Sequence, residues 1–230
     1  MSVRRRRIRP ASFLCGIAGA ILLFASHSVR AQHRFTFQVF GGGAWNATTP
    51  VTIHQEGHPD LDFTAHWETK PFVQPFYWAV KASLEDRSGA WELQLLHDKL
   101  YLTHEPPEIA AFEVSHGFNF VTLARSFPLG KGFTARAGAG AVLAHAESTV
   151  RGEPEENTGN LGGGYELTGP AFLAGAGWQL PLSRYFFVSA EALVTAAHAR
   201  VPVARGDATF CNVALHGLIG LGVRFGGPLP

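Results

Sequence analysis

Along most of this chain, apolar and polar positions alternate one by one. In RFTFQVFGGGAWN, Phe35, Phe37 and Val39 share one face, while Thr36 and Gln38 share the other. YFFVSAEALVTA sets Phe186, Val188, Ala190, Ala192 and Val194 against Ser189, Glu191 and Thr195. FCNVALHGLIGLGVRF sets Cys211, Val213, Leu215, Ile219, Leu221, Val223 and Phe225 against Asn212, His216, Gly220, Gly222 and Arg224. A period of two means β-strands. Eight such segments are expected, at 34–47, 72–84, 90–103, 111–127, 133–147, 169–180, 185–201 and 208–226. Their connections alternate in length. DRSGA, PLGKG and PLSR are tight, whereas 48–71, 104–110, 149–168 and 202–207 are mostly longer and more polar.

Short turns at one end, long loops at the other and an even strand count are the pattern of an outer-membrane barrel. Each segment is long enough for the roughly 9–11 residues of a tilted crossing. The expected fold is therefore all-β: an eight-stranded antiparallel transmembrane β-barrel, apolar outside and polar inside, located in the bacterial outer membrane. The inward set would be Gln38, Lys81, Glu92, Arg136, Gln179, Glu191 and Arg224. A secreted lipocalin-like barrel would instead turn its apolar residues inward. A barrel of eight strands is only wide enough for side chains to fill, so these charges should form a paired plug rather than a channel. Gly220, Val223 and Phe225 resemble the C-terminal strand signal read by the barrel-assembly machinery, with GGPLP trailing beyond.

The N-terminus belongs to a different class. MSVRRRRIR is basic, ASFLCGIAGAILLFA is apolar, and Val29 and Ala31 fit the small-residue positions before a cut ahead of Gln32. This reads as a secretory signal peptide, residues 1–31, followed by a barrel, residues 32–230. The apolar run is short of the roughly 20 residues a spanning helix needs. Cys15 leaves with the signal. Cys211 then has no intramolecular partner, and on a lipid face it is inert. The full chain carries a formal charge of +1, and its Arg-rich block lies in the signal. No nucleic-acid partner is implied.

Chemistry concentrates in WELQLLHDKLYLTHEPPEIAAFEVSHGFN, residues 91–119. Strict alternation puts Trp91, Leu93, Leu95, His97, Lys99 and Tyr101 outward, and Glu92, Gln94, Leu96 and Asp98 inward. A hairpin symmetric about Pro106–Pro107 would place His97 opposite His116, close enough to share a ligand. Their common face would be apolar, with Phe112, Val114, Phe118 and Phe120 as neighbours, and Trp91 and Tyr101 as its interfacial girdles. His97 and Lys99 would then lie in the upper half of the lipid-facing band, where a lysine costs about 2–4 kcal/mol at midplane and less towards the interface. Either a β-bulge turns them into the lumen, or they meet the head group of an outer-leaflet lipid. A non-catalytic girdle for lipopolysaccharide phosphates is the alternative use of His97, Lys99 and His116. HQEGHPDLD, residues 54–62, offers two histidines and three carboxylates for a divalent cation, or a solvated acidic loop. No CxxC, phosphate loop, GxSxG or HExxH occurs.

DFTAHWETKPFVQPFYWAVKA, WELQLLHDKLYL and FEVSHGFNFVTL, in that order, resemble bacterial outer-membrane barrels related to the lipid A oxidase of rhizobia. His-x-Lys followed by Ser-His-Gly-x-Asn is the most specific part; the second half of the chain adds only a generic barrel. The resemblance implies dioxygen-dependent oxidation of the proximal glucosamine of lipid A to aminogluconate. It nominates His97, Lys99, Ser115, His116 and Asn119 as catalytic candidates, and Lys99, Tyr101 and Lys70 as substrate contacts, with Asp62 nearby. In that reading His97 and His116 bind a divalent metal or act as general base. Lys99 anchors a phosphate or carboxylate, and Asn119 orients one histidine. The implied partners are lipid A or lipopolysaccharide and outer-membrane lipids. A lipid A deacylase would need a His-x-Ser pair, whereas Ser115 and His116 are adjacent. A structural or lipopolysaccharide-binding barrel is the non-enzymatic alternative.

Overall fold

The structure is a computed structural model that describes residues 34–156, 159 and 161–226. The expected signal peptide, residues 1–31, lies outside the described residues. Twelve antiparallel strands follow one another: β1 (Arg34–Asn46), β2 (Thr49–Gln55), β3 (Leu61–Glu68), β4 (Trp78–Asp86), β5 (Gly89–Thr103), β6 (Ile109–Gly130), β7 (Phe133–Ala144), β8 (Glu147–Val150), β9 (Glu153–Glu156), β10 (Glu166–Pro181), β11 (Phe186–Val203) and β12 (Gly206–Phe225). Eight of them close a ring in the order β1, β4, β5, β6, β7, β10, β11, β12 and back to β1. Closure leaves this ring no free sheet edge.

Of the remaining four strands, β2, β3 and β9 fall within expected external loops, and β8 straddles the end of the strand expected at 133–147. All four carry the wall upward. β2 continues β1 along β12, with Val51 paired to Phe210 and Gln55 to Gly206. β3 pairs with the top of β5, and the same path resumes as β4 after residues 69–77 leave the sheet as a strap. The strand expected at 72–84 therefore starts at Trp78. β8 continues β7 along β6, and β9 pairs back on β8. The first two were legible: Val51 and Ile53 alternate with Thr52 and His54, and Ala65 and Trp67 with His66 and Glu68, the first of each pair buried.

In the lower half the wall has the outside-in chemistry of a membrane barrel. Large apolar side chains stay exposed around it, among them Leu93, Leu123, Phe172, Val194, Leu215 and Ile219. On β12 this outward band runs from Val213 to Phe225, about 30 Å for a strand tilted by about 40°. An apolar belt of that height around a closed barrel faces lipid, not water, and the geometry is that of an outer-membrane barrel. The interior holds the expected polar set. Glu191 meets Lys81 and, at 2.7 Å, Arg136, which reaches Glu92 at 3.0 Å; Arg224 donates to Gln179 at 2.8 Å. Two large rings fill the remaining space, Phe40 over Gly220 and Phe187 over Gly222. A Cβ on either glycine would lie within 2.4 Å and 2.2 Å of those rings.

The upper half reverses this. Its interior is an apolar core of Trp67, Phe112, Phe118, Phe120 and Phe210 with Ile53 and Leu100, and its outward residues are polar. Between the two halves lies a polar layer. Asn212 donates to Asn46 (2.8 Å), Asn46 to Thr69 (2.9 Å) and Thr69 to Asp98 (3.1 Å). Just below it, His216 is held by Tyr77 at 2.8 Å and Thr195 at 2.7 Å.

Because Glu191 neutralises two buried cations, Glu191→Ala should destabilise the barrel by about 3–5 kcal/mol, the usual cost of orphaning a buried charge. Lys81→Met combined with Glu191→Gln should recover most of that loss. Urea titration in detergent micelles reads both; equal stability of the single variant and the native chain would contradict the paired-plug account.

Candidate functional site

Strand β6 decides the site. Below Phe118 it pairs with β5 so that His97 faces Asn119; above, Leu100 faces Val114 and Tyr101 faces Glu113. Two extra residues of β6 are accommodated in between, a bulge in which Ser115, His116 and Gly117 oppose Lys99 alone. His97 and His116 are therefore not opposed, as a symmetric hairpin required: the bulge slides the register between them. Gly117 sits in the bulge at φ 139°, and a Cβ there would lie 2.5 Å from the Asn119 side chain and 2.9 Å from that of His97. Only glycine fits. The expected neighbours Phe112, Val114, Phe118 and Phe120 are also corrected. They are buried in the apolar interior, and the face shared by His97 and Asn119 is the outer one.

On that outer face His97 stacks on Trp78, with ring centroids 5.3 Å apart and 10° between planes. His97 Nδ1 lies 2.7 Å from Asn119 Oδ1. An amide oxygen only accepts, so Nδ1 carries the proton and Nε2 keeps its lone pair. Nε2 is buried and has no hydrogen-bond partner among the described residues. A buried polar atom left unpaired calls for an explanation, and a catalytic role is one.

Lys99 also points outward, yet it is fully buried, because the strap 69–77 folds over it. Its Nζ donates to the carbonyls of Lys70 (2.8 Å) and Val73 (2.6 Å). Lys99 thus pins the strap, and its ammonium is taken up by those carbonyls, whereas that of Lys70 is more exposed. The Lys70 ammonium lies over the Tyr101 ring at 4.5 Å and 3.8 Å from Glu68. The strap exposes Phe72, Val73 and Phe76. Asp98 points inward to Thr69, as alternation required. Asp62 is not brought to the site. It accepts from Thr52 at 2.6 Å in the β2–β3 hairpin, about 20 Å along the strand from Glu68. In the same hairpin His54 pairs with Asp60 at 2.8 Å, and that carboxylate holds the imidazole pKa above its ordinary value.

The bulge delivers His116 to the break between β7 and β8. There its ring lies 4.9 Å from that of His145, and Glu147 is 3.3 Å from each imidazole. The sequence pattern does not single out His145 and Glu147, although AHAES sets them on one face of an alternating segment. Ser115 Oγ is 3.4 Å from His116 Nδ1, the same nitrogen that faces Glu147. A serine hydrolase needs nucleophile and acid on opposite nitrogens of the imidazole, so this trio is not a deacylase triad.

No protein-family model matches the chain, and no curated protein sequence is similar to it. Among solved structures it is similar to Ail, the attachment invasion locus protein of Yersinia pestis (14% identity, TM-score 0.40, covering 85% of this chain and 100% of that one). It is similar to Neisserial surface protein A (9%, TM-score 0.39, 85% and 98%). A third is OmpT, an outer membrane protein of Vibrio cholerae (14%, TM-score 0.28, 82% and 52%). The barrel assignment rests on ring closure and the apolar belt, not on these likenesses.

Two outcomes are expected of this geometry. Nitrogen NMR of the imidazoles at pH 8 should find His97 protonated on Nδ1, and Asn119→Ala should shift it towards the Nε2-protonated form; native His97 protonated on Nε2 would contradict the assignment. Lys99→Met should release the strap, seen as faster chymotrypsin cleavage at Phe72 and Phe76 in folded protein. Unchanged cleavage would show that the strap is held by something else.

Proposed function

We propose that this outer-membrane barrel modifies lipid A at its outer wall, oxidising the proximal glucosamine to aminogluconate with dioxygen. The observation that carries the reading is His97: an imidazole on the lipid-facing wall near the rim, with its tautomer set by Asn119 and its Nε2 unpaired. The resemblance of the His-x-Lys and Ser-His-Gly-x-Asn blocks to lipid A oxidases supports the substrate. The rim position matches the depth of the lipid A sugar, and the exposed Lys70 beside Tyr101 suits its anionic groups.

In this reading His97 Nε2, buried at rest, is uncovered as the lipid A sugar docks against the wall and then takes the proton of the anomeric hydroxyl. The C1–H and O–H bonds of the hemiacetal break and a lactone carbonyl forms. The two electrons and two protons released reduce dioxygen to hydrogen peroxide. Water then opens the lactone, leaving the acid one oxygen atom heavier than the starting sugar. The substrate must carry a free anomeric hydroxyl, so its lipid A lacks the proximal phosphate. Trp78, stacked on the ring, shields the imidazole from bulk water, and Asn119 keeps it in the basic tautomer.

The test is mass spectrometry of lipid A from cells expressing the chain, in a host whose lipid A lacks that phosphate. Native protein should add one oxygen atom to the proximal sugar and release hydrogen peroxide. His97→Ala should lose roughly 10²–10⁴-fold in rate, the usual share of a general base. Loss of an acyl chain would move the function to hydrolysis. Unaltered lipid A with native protein, or full oxidation by His97→Ala, would overturn the proposal; the former would leave a lipopolysaccharide-binding barrel.

A further inference from the structure

We propose that His116, His145 and Glu147 form a binding site for one divalent transition-metal ion on the outer rim. The site goes beyond the lipid A reading, since it stands or falls without any lipid; only its bearing on oxidation rests on that reading.

The spacing is the first reason. His116 Nδ1 and His145 Nε2 each lie 3.3 Å from the same Glu147 oxygen, and ligand atoms of all three residues fall within 4.8 Å of one another. A charge-assisted N–H to carboxylate bond is shorter, about 2.7–2.9 Å. Two ligands each about 2.1 Å from one ion, at tetrahedral or octahedral angles, are about 3.0–3.4 Å apart. Both histidine–glutamate contacts thus have the spacing of neighbouring ligands on one metal ion.

The second reason is orientation. His145 Nδ1 lies 3.0 Å from the Gly163 carbonyl, which can only accept, so Nδ1 is protonated. In the neutral ring Nε2 then presents a lone pair to a carboxylate oxygen, and a cation between them turns that repulsion into attraction. An imidazole whose far nitrogen donates to a carbonyl is the usual posture of a metal ligand. The His116 backbone is also fixed: Tyr165 donates to its carbonyl at 2.6 Å, and His145 N–H to the neighbouring Gly117 carbonyl at 3.1 Å.

The third reason is charge. Strand pairing sets Glu113 directly opposite Glu147. Like charges so placed repel, and among the described residues no lysine or arginine forms an ion pair with either. Two imidazoles with one carboxylate select manganese, iron, cobalt or zinc rather than calcium or magnesium, which prefer oxygen ligands. The same donor set with open positions is the one that supports dioxygen chemistry on iron(II).

The experiment uses the full chain, purified in detergent, stripped with a chelator and titrated with cobalt(II) and zinc(II). Expected are one ion per chain, cobalt absorption bands of an imidazole-ligated site, and displacement of cobalt by zinc. His116→Ala and His145→Ala should each weaken binding by at least about 100-fold, beyond the 10–100-fold loss of a partner that only orients a ligand. Glu147→Gln, nearly isosteric, gives the same readout should an alanine variant fold poorly, and His198→Ala on another wall should bind as the native chain does. Absence of stoichiometric binding, or equal affinity in the His116, His145 and Glu147 variants, would overturn the site. Tight binding with unaltered lipid A would leave the site standing and sink the oxidase.

Discussion

The rest of this structure depends on one constraint: the same strands cross from lipid into water without ending. In lipid the wall must be apolar outside and close its charges within, which the Lys81–Glu191–Arg136 cluster does. Above the membrane the wall must be polar outside and pack an apolar core within, which Trp67, Phe112, Phe118 and Phe210 do. A strand cannot exchange its faces by alternation alone, because period two keeps every second residue on one side. The chain instead changes residue types face by face through a polar layer, Asn212–Asn46–Thr69–Asp98. At that level it breaks its strands: at 47–48, at the strap 69–77, at the β6 bulge and at 145–146.

These breaks are where the histidines of the wall gather. His97 and Asn119 lie just below the bulge, His116 in it, and His145 in the break beside it. A lipid-facing histidine is costly deep in the band and tolerable near the interface. The rim is thus where a barrel can display basic side chains to a lipid head group while keeping them off bulk water. The strap adds cover: it holds Lys99 out of solvent through two carbonyls and presents Phe72 and Phe76 outward. Two clusters then stand side by side on β5 to β8, the His97–Asn119 pair and the His116–His145–Glu147 trio, with Gly117 between them.

Much of the barrel was legible in the sequence. The alternation located each ring strand and sorted Gln38, Lys81, Glu92, Arg136 and Glu191 to the interior, because in a membrane barrel the two faces differ most in polarity. The extensions β2 and β3 carry the same alternation, but it does not set them apart from loops, since their outward residues are as polar as any loop. The site was legible only as a list of residue types. His97 and Asn119 were named, but their pairing depends on a register set by two extra residues in β6, and a period cannot count residues that leave the sheet. For the same reason His116 appeared to face His97 rather than His145 and Glu147, some thirty positions on. Strict alternation points Lys99 outward, but the strap that captures it is an insertion with no period of its own.

The most direct measurement of the central claim, that the outer wall around His97 is where lipid A is held, is photocrosslinking in intact outer membranes. A photoreactive phenylalanine analogue would replace Leu143, paired with Asn119, or Leu215 on β12, on the opposite side of the ring. The account predicts lipid A crosslinks from position 143 well above those from position 215, with phospholipid or bulk crosslinks at both. Equal capture at the two positions would contradict a lipid A site on this wall.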